Sequence, residues 1–374
     1  MTPYLRSANV GNGHLALDDV KQMDFTPEER QRFRLQRGDV LVSEGSASHH
    51  AVGMASAWNE ELRGDVCFQN TLLRYRSVPG VSDIGFALQW CRWAFESGAF
   101  RDAASGTNIL HIGSTRARAM QVLLPPLRTQ RRIVDVMAAV DEHVRSLTTE
   151  VENLAGVRAV HLASTYREFS ETTPAIRLGD VLTEVKRPVV VEPSALYKQI
   201  GIRSHGRGVF TKEPVTGEGL GSKKVYWVEP GDLVINIVFA WEGAVAIVPT
   251  GVHGHCASHR FPTYQRADGG DVDFFRYYFS TQDGLSLLGD CSPGGAGRNR
   301  TLNRTRLLDS PVYLPEPAIQ LRVIAEFRAL EAALTALKGE LNRLRSFRSV
   351  LLEALLNRDI EIPESYDALL EKVA

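Results

Sequence analysis

"PLRTQRRIVDVMAAVDEHVR", residues 126–145, and "EPAIQLRVIAEFRALEAALT", residues 316–335, are one helix written twice, 190 positions apart. In the first copy the apolar positions Ile133, Met137, Val140, Val144, Leu147, Val151 and Leu154 recur in alternating steps of four and three. That is the a/d seam of a coiled coil. Adding 190 lands on Val323, Phe327, Leu330, Leu334, Leu337, Leu341 and Leu344, apolar at every position. One step further both copies carry arginine, Arg158 and Arg348. The flanks agree too: Leu124-Pro125 answers Leu314-Pro315, Gln130 answers Gln320, and Thr115-Arg116 answers Thr305-Arg306. The chain is an internal duplication.

The repeat extends upstream. "YLRSANVGNG" (4–13) resembles "YKQIGIRSHGRG" (197–208), and "LQRGDVLVSEG" (35–45) resembles "VEPGDLVINIV" (228–238). In the second pair a Gly-Asp turn precedes a short apolar run, the mark of a strand entered from a tight turn. Further β-rich stretches ("VCFQNTLLRYR", "AVAIVPT") and short helical patterns ("FALQWCRWAFESG", "DFFRYYFSTQDGL") complete each half. The expected fold is α+β: two pseudo-repeated mixed α/β globular domains joined by two long helices that form an antiparallel coiled coil. The expected boundaries are a first domain at 1–126, a first spacer helix at 127–168, a second domain at 169–315, a second helix at 316–358 and a tail at 359–374. One difference separates the halves. The stretch "IRLGDVLTEVKRPVVVEPSAL" (176–196) opens the second domain, and the first has no counterpart, Met1 standing three residues before Tyr4.

Composition is that of a globular protein, 44% hydrophobic and 23% charged, with a net charge of −1. Near-neutrality excludes a nonspecific polycation but not a protein that meets DNA on one face. No run of eighteen apolar residues is present, and the N-terminus lacks a basic-then-apolar leader, so a cytoplasmic location without membrane contact is expected. Cys67, Cys91, Cys256 and Cys291 are scattered without a CxxC pair, as buried reduced thiols would be.

Long helices without a core of their own need a partner. The first ends where the second domain begins, and the second starts where that domain ends, so antiparallel pairing is the natural arrangement. Residues 133–161 make a rod of about 43 Å at 1.5 Å per residue, about a dozen base pairs of duplex DNA. Readers of two half-sites need such a spacer.

The segments "YLRSANV", "GDVLVS", "FQNTLLRYR", "GSTRARAMQVLLPPLRTQRRIV", "IRLGDV", "PGDLVIN" and "LPEPAIQLRVI" together resemble the DNA specificity subunit of Type I restriction-modification enzymes, over essentially the whole chain. The resemblance implies two target recognition domains, each reading half of a split sequence in double-stranded DNA. It implies helices that set the spacing and bind two methyltransferase subunits, with a restriction/translocase subunit joining them. S-adenosylmethionine, ATP and Mg chemistry would then belong to the partner chains, and this chain would hold no cofactor.

DNA readers need cations for phosphates and amides or guanidinium groups for base edges. The richest stretch is "GGAGRNRTLNRTR" (294–306), where Arg298, Arg300, Arg304 and Arg306 occur without an acid, and Asn299 and Asn303 suit adenine. A solvated surface loop would look much the same. "GIRSHGRG" supplies Arg203, His205 and Arg207, followed by Lys223 and Lys224; Arg6, Asn9, Gln69 and Asn70 are the candidates of the first domain, where structural hydrogen bonding at strand ends competes with base reading. Trp241 reads as core. "GVHGHCASH" packs His253, His255, Cys256 and His259 into seven residues, a mixture capable of binding zinc. Residues alternating along a strand face opposite sides, and no second cluster follows at ligand spacing. No P-loop, dinucleotide-binding glycine motif or Asp/Asn-Pro-Pro-aromatic motif occurs, so a noncatalytic subunit is expected. The competing readings are a coiled-coil adaptor for another methyltransferase-based phage-defence system and a metal-dependent hydrolase using the His253–His259 cluster.

Overall fold

The computed structural model describes residues 1–46, 51–106, 109–294 and 300–370. The chain divides into two compact units. The first comprises Met1–Thr149 and Lys338–Ala374, and the second Glu150–Leu337. Both long helices, Leu127–Thr172 and Pro317–Asn357, therefore contribute a segment to each unit. The first runs four residues beyond the expected Glu168. Tyr166 and Phe169 belong to the core of the second unit, and the Tyr166 hydroxyl donates to the Phe274 carbonyl, so packing carries the helix past the end of its heptads.

In the first unit the strand Val40–Ser43 is central, antiparallel to Ala55–Ala57 on one side and Leu72–Tyr75 on the other. A smaller sheet places Thr2–Leu5 between Lys21–Met23 and Cys67–Phe68. The helix Ile84–Glu96 starts on Asp83, whose carboxylate accepts from the amides of Gly85 and Phe86. Phe86, Trp90 and Phe100 pack with Val40 and Val42, and Ile133, Met137, Leu352 and Leu355 of the long helices close that core.

The second unit repeats this plan with an addition. Leu233–Ile235 lies between Val245–Ile247 and Thr263–Arg266, and a fourth strand, Leu182–Val185, covers the outer edge. Just upstream, Ala175–Arg177 pairs with Pro311–Tyr313 and buries Val312 to 2% exposure. Among the described residues the first unit has neither strand. Its equivalent of 312–314 is Val122, Leu123 and Leu124, which stand 37%, 58% and 44% exposed.

Three repeated devices explain why the two halves fold alike. Gly38 and Gly231 each adopt φ near +88°, a conformation that glycine takes without strain. The aspartate that follows is buried in both. Asp39 accepts from the Gln36 amide and two nitrogens of Arg76, and Asp232 accepts from the Glu229 amide, Arg187 and Gln265. At the start of each long helix a buried glutamine donates back to a proline carbonyl, Gln130 to Pro125 at 2.7 Å and Gln320 to Pro315 at 2.6 Å. Gln130 also donates to Val81 and accepts from the Asp83 amide, while Gln320 accepts from Arg266.

Deeper along the helices a charge cluster recurs. In the first unit Asp141 receives Arg348 and, at 2.8 Å, Arg92 from the domain helix. In the second, Glu331 receives Arg158 at 2.6 Å and two nitrogens of Arg276 at 2.9 Å. Asp141 and Glu331 are 190 residues apart, as are Arg348 and Arg158. Burial opposes ionisation of both acids, yet the bound guanidinium groups prevail and hold their carboxyls below the usual range. Within each unit the partners run in opposite directions. Asp141 and Thr148 meet Arg348 and Arg345, and Arg158 and His161 meet Glu331 and Glu326. The helices are antiparallel. Of the fourteen seam positions none is exposed, and Met137 and Phe327 are fully buried.

Candidate nucleic-acid interface

The sequence candidates of the second unit fall into three groups. Arg203 lays its guanidinium over the Phe210 ring at 4.9 Å, just beyond the strand Ile200–Ile202. Lys223 and Lys224 are exposed and pair with no carboxylate among the described residues. His205 and Arg207 occupy the tight turn that follows Arg203. His205 has φ +60°, and the Arg207 Nε donates to the Ser204 carbonyl. The third group lies on the stretch 294–306. Arg298 and Asn299 are outside the described residues. Arg300 rests its guanidinium on the face of Trp241 at 5.1 Å. Trp241 is half-buried, with its ring nitrogen donating to Val238, so it is a platform for a cation rather than the core residue expected.

Two asparagines prove to serve the backbone. Asn9 is 2% exposed, its amide donating to the carbonyls of Ala16 and Asp19 while its oxygen accepts from the Arg6 amide. It has no surface from which to reach a base. Asn303 caps the helix Arg304–Leu308 by accepting from the Arg306 amide. Arg304 pairs with Glu184 at 2.7 Å, and Arg6 with Asp19 at 2.6 Å. Gln69 is half-buried and Asn70 exposed. The His253–His259 cluster does not converge. Cys256 is fully buried, His255 is 8% exposed, and His253 turns outward to Glu229. Among the described residues no three His, Cys, Asp or Glu side chains are grouped to hold a metal ion.

Two features escaped the sequence reading. In the first unit, Arg30, Arg32, Arg34 and Arg37 crowd onto and just after the helix Pro27–Phe33, beside a cleft of about 680 Å3 lined by Arg30 and Arg34. Arg30, Arg32 and Arg37 meet no carboxylate among the described residues, and four arginines in eight positions was a signal open to view. In the second unit a cleft of about 600 Å3 gathers Gln199, Phe210, Lys212, Lys223, Asn236 and His259. These come from 61 positions of chain, and no local pattern joins them.

The architecture is a duplicated α/β unit, joined to its copy by antiparallel helices and carrying cations and amides on its surface. No family model matches the chain. In sequence it is similar to the specificity subunit of the Type I restriction enzyme EcoKI from Escherichia coli K12, 24% identical over 159 residues, 40% of this chain. That match spans 32% of the curated relative's length. In fold it is similar to the HsdS subunit from Thermoanaerobacter tengcongensis, with TM-score 0.50 and 17% identity over 96% of this chain and 91% of that one. The Type I S subunit from M. genitalium gives 0.53 and 15%, over 95% and 88%. A chain from a structure on the assembly and conformational transition of the Type I system gives 0.58 and 16%, over 95% and 91%. The fold is that of Type I specificity subunits, as the sequence resemblance implied.

Proposed function

We propose that this chain is the noncatalytic specificity subunit of a Type I restriction-modification enzyme and directs it to a bipartite DNA target. The observation that carries the reading is the duplication followed into three dimensions, with the same Gly-Asp turn, proline–glutamine junction and helix-borne charge cluster in each half. A single chain with two copies of one recognition unit suits two half-sites, and the paired helices suit a fixed spacing between them. Each unit then presents its cations to phosphates and its amides to base edges.

The partners follow from a further repetition. Val157 and Val160 stand 61% and 71% exposed on the first helix, and Phe347 and Val350, 190 positions on, stand 53% and 66% exposed on the second. Apolar side chains turned outward at equivalent places suit two copies of one partner. That partner is the methyltransferase subunit, with a restriction/translocase subunit joining the assembly. The complex would then be the site-specific deoxyribonuclease and adenine methyltransferase, with S-adenosylmethionine, ATP and Mg on the partner chains. No helix among the described residues is long and apolar enough to cross a membrane, and the assembly acts on DNA in the cytoplasm.

Selection of duplexes from a random pool by the chain together with its methyltransferase partner tests this. Enriched sequences with two short conserved blocks at one fixed separation are expected. Enrichment of a single block, or of none, contradicts the bipartite reading, and an adaptor would show the latter.

A further inference from the structure

We infer that the cleft holding Gln199, Asn236 and His259 is the base-reading site of the second unit, with Lys212 and Lys223 at its rim on the phosphates. The inference rests on the DNA-reading function proposed above and assigns it to residues that carry no local signature.

The amides are presented rather than consumed. Gln199 is held through its backbone, which bridges to Cys256 on one side and accepts from the Lys212 amide on the other. Its side chain is half-buried and hydrogen-bonded to nothing among the described residues. Asn236 is 7% exposed. Its Oδ1 accepts from the Val238 amide at 3.1 Å, which aims the Nδ2 donor, without a partner among the described residues, into the cleft. That donor is not sealed from solvent, so it is free for a ligand that enters the cleft. Asn9, whose amide is fully spent on backbone carbonyls, shows what the structural alternative looks like in this protein.

The rest of the lining selects the ligand class. No carboxylate lines the cleft among the described residues, which favours an anionic partner. Two phenylalanines contribute flat apolar faces, each attended by a cation, Arg203 over Phe210 and Lys212 at 5.8 Å from the Phe261 ring centre. The Phe210 ring lies directly on Gly201, where any Cβ would come within 2.3 Å of its tip. Glycine is what lets that ring floor the cleft. Phosphates alone require only cations. Carboxamides, an imidazole and apolar faces set among cations match base edges, with carboxamides pairing adenine and apolar groups meeting the thymine methyl.

The test uses the full chain with its methyltransferase partner, a duplex carrying the selected split sequence, and a panel in which each base pair is changed in turn. Wild type is expected to lose about tenfold or more for each wrong pair. Gln199→Ala should bind the wild-type sequence about tenfold more weakly and stop discriminating at one or two adjacent pairs of one half-site, keeping discrimination elsewhere. Asn236→Asp, which keeps the acceptor and replaces the donor, should act at the same or a neighbouring pair and covers the case in which one variant fails to fold. Lys212→Ala should weaken all sequences alike and reduce the salt slope by about one. If both amide variants discriminate every pair as wild type does, the cleft assignment is overturned and DNA reading stands. If wild type itself discriminates nothing, the function proposed above fails first.

Discussion

Replacing Gln130 with leucine removes the smallest part that the two halves share, and its cost follows from the bonds it makes. The side chain is fully buried. It donates to Pro125 at 2.7 Å and Val81 at 3.0 Å, and accepts from the Asp83 amide at 2.8 Å. Leucine matches its volume and leaves two carbonyls and one amide without partners. Each such group costs about 1–3 kcal/mol when water cannot reach it. Val81 is 52% exposed, so its carbonyl has access to water close by and belongs at the low end. The apolar atoms of leucine return part of the remainder. The net is about 3 kcal/mol, concentrated in the first unit, where Asp83 also caps the helix Ile84–Glu96. Urea unfolding read by hydrogen exchange with mass spectrometry resolves the units separately. Lower protection is expected through 83–96 and 127–149, with 175–315 unchanged. A loss under about 0.5 kcal/mol, or one shared equally by both units, would refute the reasoning.

The charge clusters make graded predictions. Arg348 is 4% exposed and serves Asp141, Gln89 and Glu96, so Arg348→Met should cost the first unit about 3 kcal/mol. Arg158→Met should cost the second unit only about 1–2 kcal/mol, because Glu331 keeps both bonds from Arg276; equal losses in urea melts would count against this ordering. Asp141 and Glu331 have lowered folded values, so the stability they add is complete above their unfolded values, about pH 4, and is lost as pH falls through the folded ones. Acid titration of wild type should therefore show a stability loss below about pH 4 that Asp141→Asn lacks in the first unit. One heptad inserted after Arg145 and another after Arg343 lengthens the pair by about 10 Å, and the spacer of the selected DNA should grow by about three base pairs. An unchanged spacer removes the helices from any role as a ruler.

The parts of the fold legible in the sequence were those with a period. Heptads and a constant offset of 190 exposed both long helices and the duplication, because burial along a helix seam repeats every few residues. The Gly-Asp turns were legible because a left-handed turn restricts residue type. The end of the first helix was not, since Tyr166 and Phe169 leave the heptad pattern and answer to Phe274, over a hundred residues away. Site residues were harder for the same reason. An asparagine near a turn reads alike whether it caps a backbone, as Asn9 and Asn303 do, or faces a cleft, as Asn236 does. Only the fold distinguishes a spent amide from a presented one. The arginines at 30–37 were missed because net neutrality concealed a local cluster.

Genome-wide methylation mapping in host cells with and without this gene, partner genes left intact, reads out whether the chain specifies a bipartite DNA target. A split motif, two short blocks at a fixed separation, should lose its methylation on deletion and regain it with the gene. A methylome that does not change on deletion would contradict that role.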